Sequence, residues 1–413
     1  MQRINSTRSL SFPTLFRYSS SDRTLKTTAS LGILFSLLAF FGFIPSILLI
    51  FLWIFFLSFY LVGYPFLSFQ WDALLVETGF IGIFYALLSP SPIVLQIALW
   101  VLCFRLLFSS ALVKWTSGCK EWRSLRALEY HFETQPLPNL GGFFAHQLNK
   151  KILKIMTGLV FVFEGVVPFL FFGTSEMRIV GACLSIFFQF LIASTGNFAY
   201  FNLLTITLLI TLIDNQYWTW LIPEVIALDQ NLWLVIFLNC MGAFFILSNI
   251  LMLLYQFFGV RVGFLTPFQM LGIFNTYGLF AVMTTIREEI ILEGSNDQQN
   301  WKEYQFKYKP GPLNLKPKQI APLHPRLDWQ MWFVPLCSRN EEWFTLLVYK
   351  ILHGSSEVLD LFKENPFPKD PPQYLRALRY RYHFCTIKEW RKSGNYWKRT
   401  FIEVMQNDKL RNL

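Results

Sequence analysis

The sequence predicts a polytopic α-helical membrane protein with about six to eight spans and a small C-terminal α+β portion. Three observations predict it. Several stretches lacking Asp, Glu, Lys and Arg reach the length of about 20 residues that a helix needs to cross a hydrocarbon core. Mean hydropathy is +0.39, with 54% hydrophobic and 15% charged residues, which lies outside the range of soluble chains. The last third then changes character, because residues 287–413 hold 21 Lys and Arg against 15 Asp and Glu.

Residues 1–30 form a polar basic segment in which Arg3, Arg8, Arg17, Arg23 and Lys26 face Asp22. Positive charge before a first span places that end in the cytosol. The same Ser- and Arg-rich, acid-poor composition also fits a transit peptide. Residues 31–284 form the membrane bundle. No charge occurs from Thr27 to Trp71, and Pro45 divides this run into two short helices. Phe80 to Phe104 contains Pro90 and Pro92, so a re-entrant or interfacial piece leads into a span over Ile93 to Lys114. A polar connection over 116–154 alternates charged and aromatic residues and is stiffened by Pro136 and Pro138, which predicts an ordered loop. Ile155 to Ser175 is the next span. Ile179 to Ile213 runs 35 residues between Arg178 and Asp214 and breaks into two helices at Thr195-Gly196-Asn197. Gln230 to Val260 is a further span, and Val262 to Ile286 a weaker one punctuated by Gly263, Pro267, Gly272 and Gly278. Buried strands are also apolar, but they run about 4 to 8 residues and cannot account for these lengths.

Residues 285–413 form the soluble α+β portion. Arg287 to Glu293, the turn formers Gly294-Ser295-Asn296-Asp297 and the alternation from Trp301 to Tyr308 predict a β-hairpin. Asn340 is placed to cap a helix with Glu341 and Glu342 in its first turn, Trp343, Leu346, Leu347 and Ile351 on its apolar face and Gly354 at its end. A short helix starting at Ser355 or Ser356 stops at Asn365-Pro366, and Arg376 to Tyr382 alternates as a strand.

The net charge of +10 next to long apolar runs fits topology and contact with membrane lipid. Nothing interleaves Lys and Arg with aromatics as a nucleic-acid module does, so no nucleic-acid partner is expected. Six cysteines show no CxxC spacing, and three lie in apolar runs where a thiol behaves as a small hydrophobe. Neither a metal nor a cofactor is expected. Asn5-Ser6-Thr7 is the one glycosylation sequon. The chain holds no Walker A loop, GxGxxG, GxSxG or HExxH.

Several polar residues stand out by position. Trp71, Asp72 and Glu77 sit at the entry of an apolar run. Asp72 as a helix cap, Trp71 as an interface anchor and Glu77 neutralised by Arg105 or Lys114 is one reading, and holding a client is the other. Glu164 lies inside a span, where an unpaired charge costs about 2.5–3.5 kcal/mol even on the insertion scale. Arg105 is its expected partner. His131 and Glu133 would point to one side of an extended segment, which invites a metal or acid–base reading. A metal needs three or four ligands, and His146 is the one further candidate nearby. Alternatively Glu133 and Gln135 hydrogen-bond the loop and Pro136 stiffens it. Arg326 and Asp328 form a pair bracketed by aromatics such as Trp329, as a folded corner or a client-facing patch.

These residues belong to three longer strips: FQWDALLVETGF over Phe69 to Phe80, WRSLRALEYHFETQPLP from Trp122 and Arg123 to Pro138, and HPRLDWQMWF over His324 to Phe333. With Thr195-Gly196-Asn197-Phe198, Phe201-Asn202-Leu203-Leu204-Thr205, Glu303 to Gly311 and Arg379-Tyr380-Arg381-Tyr382, they resemble the lipase maturation factor family in order from about residue 65 to 400. Ser110 stands where a glycine is common in that family, and Cys119 where an aspartate is common. The resemblance implies an integral membrane protein, of the endoplasmic reticulum in a eukaryote or the cytoplasmic membrane in a bacterium. It implies a non-catalytic, chaperone-like factor that assists folding and assembly of secreted clients such as lipases. Trp71, Asp72, Glu77, Trp122, Arg123, His131, Glu133, Gln135, Pro136, Arg326, Asp328 and Trp329 then form its client-binding or structural set. Two other classes fit the residues alone. One is a membrane enzyme acting at the bilayer interface on lipid or protein, with Asp72, Glu77, His131 and Glu133 converging. The other is a transporter whose path is marked by Arg105, Glu164 and broken helices.

Overall fold

Backbone polar groups in an apolar run away from water must be satisfied within the segment, and a helix does this. In the computed structural model, which describes residues 13–219, 231–337 and 341–405, the apolar runs form helices. Ser21 caps α1 (Asp22–Phe40) by accepting from the Thr24 N–H. Pro45 opens α2 (Pro45–Val62), so the chain does hinge there. Next come α3 (Gln70–Tyr85) and α4 (Ile93–Thr116), separated by the segment that holds Pro90 and Pro92. The polar connection contains three short helices, α5 (Lys120–Arg123), α6 (Leu128–Thr134) and α7 (Leu140–His146).

Helix α8 (Lys150–Phe161) continues through a wider π-turn, Val162–Val166, and a tight turn, Val167–Phe172. Pro168 has no N–H to give the Glu164 carbonyl, and the Val167 N–H reaches back to the Val162 carbonyl instead. The 35-residue run divides as expected into α9 (Ser175–Thr195) and α10 (Phe201–Ile210). Asn231 caps α11 (Leu232–Phe258). Among the described residues five helices are long and apolar enough to cross a membrane: Pro45–Val62, Ile93–Thr116, Lys150–Phe172, Ser175–Thr195 and Leu232–Phe258. Helices α1, α3 and α10 are apolar too, but α3 and α10 are shorter and α1 begins with charges. The expected weaker span over Val262 to Ile286 does not form. It contains only the turn Gly263–Leu265 and α12 (Thr266–Met270), because Gly272 and Gly278 turn the chain at φ +66 and +152.

The C-terminal portion carries a sheet of order β2-β1-β3-β4, built from β1 (Arg287–Ser295), β2 (Lys302–Tyr304), β3 (Tyr374–Phe384) and β4 (Trp397–Met405). All pairings are antiparallel. Glu293 lies opposite Arg376 and bonds it at 2.7 Å, a cross-strand ion pair that helps fix the register. Helices α13 (Arg326–Met331), α14 (Glu342–Leu352), α15 (Ser356–Leu359) and α16 (Ile387–Ser393) complete the portion. The expected cap Asn340 and the sequon Asn5-Ser6-Thr7 lie outside the described residues.

By contacts the chain forms two compact units. The first takes Met1–Ser117, Val160–Gln189 and Leu203–Ala281, and is helical. Helices α4 and α11 touch backbone to backbone in it: a Cβ on Gly242 would lie 2.8 Å from the Val94 carbonyl carbon and 2.9 Å from the Leu95 nitrogen. The second takes Gly118–Leu159, Phe190–Asn202 and Val282–Leu413. The polar connection thus shares a unit with the sheet. Part of its core is Phe143 of α7 packed with Tyr382, Phe384 and Trp397.

Candidate functional site

In the helical unit, the first polar strip forms a knot of buried charge. Asp72, the third residue of α3, accepts from the Phe69 N–H at 3.2 Å, which caps the helix. Trp71 is 1% exposed and stacks on Phe69 with ring centroids 5.0 Å apart. It is a core residue, which corrects the expectation of an interface anchor. Glu77 is fully buried and receives the Arg105 guanidinium of α4, the Asn275 N–H at 3.2 Å, the Asn275 Nδ2 at 3.1 Å and the Tyr277 hydroxyl at 2.6 Å. The Arg105 guanidinium also lies 4.9 Å from the Tyr277 ring centroid. One carboxylate thus joins α3, α4 and the segment after α12. Asn275 and Tyr277 were hidden in a run that looked like a weak span, although their polarity was the signal.

The expected Arg105–Glu164 pair is not formed. Glu164 bonds Lys114 at 2.7 and 3.0 Å, and Lys114 also donates to the Ser110 carbonyl at 3.3 Å. Lys114 lies nine residues beyond Arg105 on α4, about 13.5 Å along the axis, so each cation serves a different level. Charge reversal separates the two assignments. Glu164→Arg is expected to abolish folded expression, Lys114→Glu to restore it in the double variant, and Arg105→Glu to fail. Fluorescence size-exclusion chromatography reads all three. A further staple, Arg178 to Asp214 at 2.8 Å, closes the α9–α10 pair and places the guanidinium 4.5 Å from the Trp100 ring centroid.

The second and third strips come together in the other unit. His131 and Glu133 lie on α6, where two residues turn the side chains about 200° apart, so the expected common side of an extended segment is corrected. His131 stacks against Phe198, with centroids 6.2 Å apart and planes at 8°. Glu133 instead accepts from the Phe384 N–H at 2.6 Å and lies 3.3 Å from His383 Nδ1. His146 Nε2 is 3.9 Å from the same carboxylate. Trp122 is buried, while Arg123 is exposed. Gln135 donates to the Thr195 carbonyl at 2.8 Å. Asn197 acts as a backbone surrogate: its Nδ2 donates to the Leu137 and Lys318 carbonyls at 3.0 and 2.9 Å, and its Oδ1 accepts from Ile320 and Ala321 at 2.7 and 3.0 Å. Asn139 donates to the Ser194 carbonyl at 3.1 Å and the Gln319 amide oxygen at 2.6 Å.

Arg287 is the first residue of β1, and the alternation that predicts the strand gives its side chain no partner. It is 1% exposed and its guanidinium donates to the carbonyls of Glu133, Gln135 and Pro136 and to the Glu289 carboxylate. Glu289 is shared with Lys309 at 2.8 Å. Asp328 is 3% exposed and accepts from the Tyr308 and Lys309 N–H groups at 2.7 and 2.9 Å. Arg326 opens α13 and is half-buried. Trp329 packs edge-on between Phe198 and His324, and Trp332 Nε1 donates to the Thr134 carbonyl at 2.8 Å. Tyr382 donates to the Gly311 carbonyl at 2.7 Å and Arg379 to Glu288 at 2.7 Å. The second and third strips thus meet in this unit together with members of segments 195–198, 303–311 and 379–382.

Burial, with repulsion from Arg326, holds the His324 imidazole down to about 2, and burial lowers His146 as well. His324 stays neutral in the fold and His146 takes up its proton less readily than a free imidazole, while the unfolded chain takes up protons below pH of about 6.5. The unfolded state then binds more protons, so stability falls as pH drops from there. Thermal unfolding at pH about 7.5 and about 5 is expected to show this loss, limited to about 1.4 kcal/mol per pH unit for each histidine, and His324→Gln to flatten it.

Comparison with known proteins gives the arrangement a family. Residues 1–220 match the model of the lipase maturation factor transmembrane domain, and residues 273–407 that of the lipase maturation factor C-terminal domain. Lipase maturation factor 2 of Xenopus laevis is 30% identical over 93% of this chain and 72% of its own length. Lipase maturation factor 1 of Bos taurus is 31% identical over 90% of this chain and 72% of its own. Lipase maturation factor 2 of Homo sapiens is 30% identical, covering 85% and 67%. No solved structure matches.

Proposed function

Because the chain belongs to the lipase maturation factor family, we propose that it is an integral membrane maturation factor that assists the folding and assembly of secreted lipase-type clients. The observation that carries this reading is the match of both family domains along the chain. The side chains support a scaffold more than a reaction centre. Asp72, Glu77, Glu133 and Asp328 each accept from a backbone N–H, and so hold chain segments in place. A carboxylate engaged in this way ties two chain segments together by a charge-assisted hydrogen bond. The membrane that houses the protein follows its host: the endoplasmic reticulum in a eukaryote, the cytoplasmic membrane in a bacterium.

Co-expression tests the proposal. A secreted lipase produced with this chain, in a host lacking its own factor, is expected to show higher activity per mass of secreted enzyme and more dimer on sizing. Unchanged specific activity with the chain folded in the membrane would count against the proposal.

A further inference from the structure

A cavity of about 630 Å³ lies in the helical unit where two spans end. Val113 stands three residues before the end of α4, and Tyr255 and Gln256 lie in the last turn of α11. Gln70 at the start of α3, Arg261 and Tyr277 complete the part of the wall that carries chemistry.

Three properties define what this cavity accepts. Among the described residues Arg261 is the only formally charged one in the lining, it is exposed, and it makes no ion pair. The second property is the rest of the wall, which is neutral: Gln70 is tied into it by accepting from the Gly278 N–H at 2.8 Å. A cation therefore faces a space whose wall, among the described residues, holds no carboxylate, which selects for an anion. The third property is position. The cavity sits at the ends of membrane helices, and its chain neighbours Phe258, Val260 and Phe264 are 77%, 45% and 51% exposed, so apolar surface adjoins the charged group.

We propose that this cavity binds the phosphate of an anionic membrane phospholipid. Arg261 donates to the phosphate oxygens, and the acyl chains run along the apolar residues beside Arg261. Tyr277 belongs to both sites, since its hydroxyl holds Glu77. A bound headgroup would therefore brace the segment that carries the buried charge knot.

Native mass spectrometry of the full chain in detergent tests this, with phosphatidylglycerol, phosphatidylcholine and inorganic phosphate as probes. The wild type is expected to retain one phosphatidylglycerol per chain in preference to phosphatidylcholine. Arg261→Gln should weaken retention roughly tenfold or more, the scale of a charge-assisted hydrogen bond, with partial recovery in Arg261→Lys. Thr276→Trp, at an exposed lining position, should exclude the lipid while leaving the Tm in lipid-free detergent unchanged. Phosphatidylglycerol retained equally by folded Arg261→Gln and Thr276→Trp overturns the proposal, as does equal retention of phosphatidylcholine. Complete displacement by millimolar inorganic phosphate would assign the cavity to a soluble phosphate and overturn the lipid; resistance to it supports the lipid.

Discussion

Replacing Arg105 with leucine is expected to cost about 3–5 kcal/mol of stability, the cost of leaving one partner of a buried ion pair alone. Arg105 and Glu77 are both 0% exposed, so water cannot take over when the guanidinium leaves. The Tyr277 hydroxyl and the Asn275 groups would remain on Glu77, yet none of them carries a charge. The loss should therefore exceed that of an ordinary hydrogen bond. A Glu77→Leu, Arg105→Leu double variant is expected to be more stable than Arg105→Leu alone, because it removes the uncompensated charge as well. Thermal unfolding in nanodiscs measures both. A single variant with a wild-type Tm would show that Arg105 does not carry this knot.

Replacing Arg287 with methionine is expected to be as costly, about 3–5 kcal/mol, for a different reason. This guanidinium serves the carbonyls of Glu133, Gln135 and Pro136 and a carboxylate, so its loss leaves acceptors from two distant parts of the chain unsatisfied at once. Lys309 still faces Glu289, but it does not reach the carbonyls of residues 133–136 in its place. Arg287→Lys should recover little, since a single ammonium cannot present the planar fork that spans those oxygens.

Much of the helical architecture was legible because lipid imposes a simple rule on length and charge. The break at Thr195-Gly196-Asn197 and the hinge at Pro45 followed from residues that cannot continue a helix. Pairing was less legible. Arg105 and Lys114 both sit in the same apolar run, and only the depth of the neighbouring helices decides which acid each one meets. The hairpin and β3 followed from alternation, whereas α16 and β4 passed unseen. Thr386 and Glu389 form a capping box that could have announced α16. The extended reading of His131 to Glu133 failed because Pro136 and Pro138 drew the whole segment toward a loop, although the periodic apolar residues Leu128 and Phe132 were compatible with a helix. Asn139 caps α7 by accepting from the Gly142 N–H at 2.8 Å, which is a local signal, but its distant partners and all those of Asn197 carried none.

The central claim is that the polar strips are ties which make segments 118–159, 190–202 and 282–413 one cooperative body. Native-state hydrogen exchange tests it at amides held by those ties: Tyr308 and Lys309 on Asp328, Ile320 and Ala321 on Asn197, and Phe384 on Glu133. These five are predicted to open with a common free energy, and Arg287→Met to lower their protection together. Loss of protection confined to the neighbours of residue 287, with the other amides unchanged, would contradict it.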